Sequence, residues 1–392
     1  MSHYTIVSAD GHAGADMATY RSYLPGSLHD EFDQWAAAYL NPFNDLERPG
    51  RERNWESSLR ARELEADGIV AEVLFPNTVP PFFPSSNLTA YPPRTTSELE
   101  QRSEGLAAHN RWLADFCAEL PGRRAGLAQL FVNDIDQAVA TVEWAAGAGL
   151  PGILMPAVPP DCGLAPLWSD RYDPIWAACQ HHDLTVTQHG GTGLPDITEA
   201  PCRNILMIME VPFFSNRNLW HLILSGVFER FGDLRFVMTE QRVDWVTPTL
   251  RRMDTFWERM NAGGVGEMVP DETMIPQRPS HYFRRNVWMG SSFPSVSEAQ
   301  AIAELGSDRV MWGGDYPHIE GTFPHSREAI RQGFCDWDEA VLHRLLGATA
   351  AQLYRFDLDW LRSLDIGPSI DEIAEPLDQV PADTTSLAFR PV

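Results

Sequence analysis

Eight short runs rich in apolar and β-branched residues recur along this chain, and helix-patterned stretches stand between them. The runs are residues 4–10, 68–75, 125–131, 152–156, 184–189, 234–240, 286–290 and 309–313. Helices are expected at 56–66, 110–120, 135–148 and 174–182. Strands separated by a helix pair in parallel, because the chain must cross back before the next strand begins. Eight such units predict an α/β fold of one kind, the (β/α)8 barrel. A doubly wound sheet is the competing arrangement, but no G-x-G-x-x-G follows the first run.

At 392 residues the chain exceeds a barrel of about 250 residues, so insertions are required. They are placed at about 13–55, 76–105 and 254–280, within a barrel domain spanning 1–357. The second contains Pro80-Pro-Phe-Phe-Pro84. Residues 358–392, rich in Pro and Asp, are read as a C-terminal arm. The first two insertions follow strands 1 and 2. They would therefore lie on the C-terminal face, as a lid or a subunit contact.

Barrel enzymes keep their chemistry at the C-terminal ends of the strands, which restricts where functional side chains can stand. The first run carries Asp10-Gly-His12, and residues two apart in a strand point the same way. A carboxylate and an imidazole are thus offered to one point, as half of a transition-metal site. The fifth run ends in His189-Gly-Gly, and the eighth runs through two glycines into Asp315. Asp10, His12, His189 and Asp315 are expected to converge at the barrel mouth. Two imidazoles and two carboxylates suit one divalent transition metal, Zn²⁺ first and Mn²⁺ second.

Those placements, with Val7-Ser-Ala-Asp-Gly-His12, residues 66–76 and 110–117, Ser225-Gly-Val-Phe-Glu-Arg-Phe231, Met311-Trp-Gly-Gly-Asp-Tyr-Pro-His318 and Leu353-Tyr-Arg-Phe-Asp357, resemble the amidohydrolase-related (amidohydrolase-2) family. The resemblance runs to about residue 358. Relatives of that family include aminocarboxymuconate-semialdehyde decarboxylase. It implies one metal held by Asp10, His12, His189 and Asp315. In its decarboxylases and many of its hydrolases, strand 6 ends in a His, where this chain has Glu240.

Because of that replacement, the first expectation is hydrolytic chemistry at a C–N or C–O bond of a small aromatic or cyclic substrate, or its water-expelling reverse. Asp315 would take a proton as well as bind metal, and Glu240 would carry a second transfer. His318 would hold substrate or support Asp315. Non-oxidative decarboxylation of an aromatic or muconate-type carboxylate stands second, and a non-catalytic metal-stabilised binding protein third. Arg285 and His221 are expected to be structural, and His281 and His325 to lie in loops. Trp288 and Trp312 are candidates to face into the barrel.

A net charge of −24 argues against nucleic-acid and anionic-membrane partners. No apolar stretch reaches about 18 residues. Five widely spaced cysteines without a C-x-x-C pair suggest reduced thiols. A cytoplasmic homodimer acting on a small molecule is expected.

Overall fold

The computed structural model describes the chain except residues 1–2, 40–45, 47, 78, 85–91, 192, 196, 198, 271–273 and 391–392. Parts of the first two expected insertions lie outside the described residues. Eight parallel strands stand in the order in which they occur: β1 (Ile6–Ala13), β2 (Ile69–Pro76), β3 (Arg124–Gln129), β4 (Gly152–Leu154), β5 (Thr185–His189), β6 (Phe236–Thr239), β7 (Val287–Ser292) and β8 (Val310–Gly313). Closure between β8 and β1 is made just beyond the end of β8. There the Asp315 amide donates to the Asp10 carbonyl at 3.0 Å, and the His12 amide to the Tyr316 carbonyl at 2.7 Å. The (β/α)8 expectation therefore holds.

The helices are α1 (His29–Ala38), α2 (Ser57–Ala66), α3 (Thr96–Ala118), α4 (Ile135–Gly147), α5 (Asp173–His181), α6 (Arg203–Leu224), α7 (Val227–Arg230), α8 (Val246–Asn261), α9 (Pro279–Asn286), α10 (Val296–Leu305), α11 (Ser326–Phe334), α12 (Glu339–His343), α13 (Thr349–Tyr354), α14 (Leu358–Ser363) and α15 (Ile370–Ala374). α3 begins well before residue 110. Its start is marked by a cap in which Thr95 Oγ1 accepts the Glu98 amide at 3.1 Å, while Glu98 accepts the Arg94 amide. α9 takes in His281, which is helical rather than in a loop; His325 immediately precedes α11.

Two apolar layers follow from the strand period of two. Val7, Ala9, Val73, Ala125, Leu127, Val237 and Met311 fill the barrel, closed below by Leu353 and Tyr354 of α13. Ile6, Ile153, Val186, Phe236, Met238, Val310 and Trp312 pack in the layer shared with the surrounding helices. Trp312 thus alternates outward from Met311, correcting the suggestion that it faces the interior; Trp288 packs against the inner cluster. Near the end of the described residues, Phe389 and Ala388 meet Ala329 of α11.

Candidate metal centre

β1 does not run evenly into its end. Its pairing with β2 shifts register between Ser8 and Gly11, and the Ser8 hydroxyl donates to the Asp10 carbonyl at 2.6 Å. Ala9 lines the interior, yet Asp10 and His12 both turn toward the mouth, as a bulge permits by re-aiming the residues beyond it. His189 closes β5, Glu240 follows β6, and Asp315 lies two residues past β8.

These ends approach closely because the positions beside them are glycine. A Cβ on Gly190 would stand 2.3 Å from the Glu240 carbonyl oxygen, and one on Gly313 would stand 2.7 Å from the Asp10 Cβ. Glu240 and Asp315 take left-handed backbone conformations, with φ of 56° and 59°. Such conformations are uncommon for residues with a side chain. Here they are held by the Glu240 amide donating to the Gly290 carbonyl at 3.0 Å and by the Asp315–Asp10 bond already described.

The structure brings the four expected donors together. His12 Nε2 lies 3.3 Å from Asp10 Oδ1 and 3.2 Å from Asp315 Oδ1, and His189 Nε2 lies 3.5 Å from Asp10 Oδ1. Asp10 and Asp315 are wholly buried. Asp10 Oδ1, His12 Nε2 and Asp315 Oδ2 find no hydrogen-bond partner among the described residues. Buried polar atoms that converge on one another without donors between them suit a cation. Asp10, His12 and His189 form one group with ligand atoms within 4.8 Å of each other; His12, Asp315 and His318 form a second. In the second, His318 is engaged at both ring nitrogens, by Asp315 Oδ1 at 2.8 Å and Asn77 Oδ1 at 3.0 Å. His318 therefore stands beside the donor set and orients Asp315.

Glu240 sits on the rim with its side chain 26% exposed, its Oε2 3.2 Å from His189 Nδ1. Burial, reinforced by the negative charges of Asp315 and Asp10, pushes its carboxyl up to about 7 against the pull of His189. Burial disfavours charge on His189, but Glu240 and Asp10 outweigh it and raise the imidazole to about 9. The same contest, with Asp315 as the decisive neighbour, raises His318 to about 10. Asp10 and Asp315 are held below the ordinary carboxylate range despite burial, through their contacts with the histidines.

Several supporting residues carry no signal of their own in the sequence. The Ser292 hydroxyl donates to Asp10 Oδ2. Asn54 donates to the Arg51 carbonyl at 2.9 Å and accepts from Asn77, so an amide chain reaches from the first insertion to His318. Phe75 packs its ring 4.6 Å from that of His189. Below the site, the wholly buried Arg60 binds Glu72 through two hydrogen bonds of 2.7 and 2.6 Å and donates to the His12 carbonyl at 2.7 Å.

Other candidates lie elsewhere. Arg285 ends α9 and donates to the Phe228 carbonyl, in a structural role. His221 lies on α6, where burial pushes its imidazole down to about 4. A cavity of about 620 Å³ bordered by Gly306, Trp337 and Arg344 opens at the opposite end of the barrel, away from this chemistry.

A family model described as Amidohydrolase matches residues 62–356. No curated protein matches the chain. Among solved structures, 5-carboxyvanillate decarboxylase from Sphingomonas paucimobilis is 21% identical, with a TM-score of 0.67 over 90% of this chain and 99% of that one. The 2,6-dihydroxybenzoate decarboxylase from Rhizobium is 18% identical, with a TM-score of 0.63 over 91% and 100%. A dihydroxybenzoic acid decarboxylase from Polaromonas, solved with manganese and the inhibitor 2-nitroresorcinol, is 18% identical, with a TM-score of 0.62 over 91% and 97%. These neighbours correct the first functional expectation. Glu240 at the end of strand 6 had pointed to hydrolysis, but the barrels that this one resembles are mostly those of aromatic-acid decarboxylases.

Proposed function

The chain belongs to the amidohydrolase family, and from that premise we propose that it is a metal-dependent, non-oxidative decarboxylase of a small aromatic or muconate-type carboxylate. One observation supports this most: Asp10, His12, His189 and Asp315 converge on one buried point with the Glu240 carboxyl at its edge. Asp10, His12, His189 and Asp315 would hold a divalent ion, with manganese favoured by the Polaromonas neighbour and zinc compatible with the donors. Such an ion supplies Lewis-acid charge that binds and neutralises an anionic substrate.

The remaining work falls to the protein. Loss of CO2 breaks the bond between the carboxylate carbon and the ring or alkene carbon that carries it, and the electron pair stays on that carbon. A proton must then arrive there. Glu240 stands at the edge of the site with its carboxyl partly open to solvent, so it can take up that proton and deliver it. His318, bridged between Asp315 and Asn77, keeps the Asp315 carboxylate turned toward His12. Phe75, itself buried, packs its ring against those of His12 and His189 and so holds the two imidazoles in place.

The test is CO2 evolution from a panel of hydroxylated benzoates and muconates by protein loaded with Mn²⁺ or Zn²⁺. Release that disappears on chelation and returns with metal is expected. No release across the panel by metal-replete protein would overturn the reading.

A further inference from the structure

The far end of the chain is seated on the barrel instead of trailing from it. Chain ends fray unless something ties them down. Here Thr384, Ser386, Ala388 and Phe389 are buried, although residues 378–380 before them are exposed. This segment lies beyond the residues that the family model matches. Its ties reach the loop that follows β8. The Thr385 hydroxyl donates to the Ile319 carbonyl at 2.5 Å, and the Leu387 amide donates to the Glu320 carbonyl at 3.1 Å. His325 Nε2 and Asp383 Oδ1 are joined at 3.0 Å. Phe389 and Ala388 also share an apolar cluster with Ala329 of α11 and with Phe293, which follows β7.

Both places that this segment braces stand one step from the metal donors. Ile319 and Glu320 lie between His318, which bonds Asp315 Oδ1, and Gly321, whose amide donates to the His318 carbonyl at 3.2 Å. A Cβ on Gly321 would stand 2.6 Å from the Gly314 carbonyl oxygen and 2.7 Å from that of Asp315. The turn therefore has no slack against the backbone beneath it. On the other side, Phe293 follows Ser292, whose hydroxyl donates to Asp10 Oδ2. Phe293 holds a left-handed φ of 40°, which an aromatic residue adopts only where its surroundings impose it. Its amide donates to the Gly313 carbonyl at 2.8 Å, and its side chain packs with Ala388 and Phe389. We propose that residues 383–389 are a strap that positions the two metal carboxylates. Thr385 and Leu387 act through His318 on Asp315, and Phe389 acts through Ser292 on Asp10. The proposal rests on Asp10, His12, His189 and Asp315 holding the ion, and not on which reaction follows. Losing a group bonded directly to a metal ligand weakens metal binding by roughly 10–100-fold. The strap acts one residue further out, so its loss should cost less.

The experiment titrates Mn²⁺ into metal-free full-length protein by calorimetry, for the native chain, Phe389→Ala, Thr385→Ser and the double variant Thr385→Val with Leu387→Pro. Leu387 opens a single 3-10 turn after Ser386, whose φ of −59° and ψ of 135° suit a residue before proline. The proline therefore removes the amide donor and fits the backbone. The double variant and Phe389→Ala should each raise the Kd for Mn²⁺ by at least about threefold, while Thr385→Ser, which keeps the hydroxyl, should match the native chain. A second measurement needs no metal. Hydrogen exchange across residues 316–324 should quicken at least roughly tenfold in the double variant and stay at the native rate in α4. Native Mn²⁺ affinity in either variant would overturn the strap and leave the metal centre standing, even with faster exchange, because a tail that is only structural gives that result. Weaker affinity in the double variant without faster exchange would overturn it too. A native chain that binds neither Mn²⁺ nor Zn²⁺ would overturn the metal centre, and the strap with it.

Discussion

In the proposed decarboxylation, Glu240 is the residue that supplies the proton. It stands immediately after β6, in a left-handed conformation, with His189 on one side and solvent on the other. If it delivers the proton, Glu240→Gln should lower kcat by roughly a hundredfold or more while one metal ion per chain is retained. Unchanged turnover would remove Glu240 from the mechanism. Asp10→Asn and His189→Ala should instead lose the ion itself, as elemental analysis after dialysis would show. Gly190→Ala offers a separate check. Its Cβ would collide with the Glu240 carbonyl, so metal content should persist while activity falls. The four donors were legible in the sequence because each falls where a strand stops, and strand ends are what the barrel brings together. Ser292 and Asn77 were not, since a lone Ser or Asn gains meaning only from what lies opposite it. The identity of residue 240 was legible, but the inference from it to hydrolysis failed. A carboxyl in that place is able to transfer protons in more than one reaction, so its identity does not select hydrolysis.

At the scale of elements, the site depends on β1, β2 and the turn after β8 keeping their distances, and Arg60 ties them. From α2 its guanidinium reaches Glu72 on β2 and the His12 carbonyl on β1, and it stacks 4.6 Å from the centre of the Tyr316 ring. Removing Arg60 leaves buried Glu72 with only its 3.7 Å contact to Arg124, so Arg60→Met should cost about 3 kcal/mol in denaturant unfolding. The double change Arg60→Met with Glu72→Gln should recover only part of that loss, because it deprives Arg124 of its carboxylate. A single variant as stable as the native chain would refute the tie. The strands could be located from their apolar runs, to within a few residues. The start of α3 at Thr96 carries a signal in the sequence, the capping box of Thr95 and Glu98, and the helix runs from there through the expected 110–120 stretch. The bulge in β1 left no such trace, because a register shift is a property of two paired strands and β1 shows only its own half.

For the whole molecule, buried acids couple stability to pH. Asp67, at the end of α2, accepts from the amide and the hydroxyl of Ser326 at the start of α11, and burial pushes its carboxyl up to about 7. The folded chain therefore keeps this proton at pH values where the unfolded chain, near 3.9, has lost it. The resulting stability is full below about pH 4 and drains away as pH rises to about 7. Asp67→Asn cannot ionise, so its stability relative to the native chain should rise by roughly 2–4 kcal/mol between pH 4 and pH 7. Parallel curves from thermal melts would contradict this. The eight-unit barrel was legible from end to end, because each apolar run and the helix pattern after it stand in the chain in the order in which the strands pair. Among the described residues no helix is long and apolar enough to cross a membrane. If this site exchanges a carboxylate for a proton, that proton comes from solvent, and an isotopic label in the water reports it. Metal-loaded protein in D2O, given a hydroxylated benzoate that it turns over, should place one deuterium on the vacated ring carbon for each CO2 released, as read by NMR. A product that keeps its carboxylate, with no deuterium on that carbon, would contradict the account.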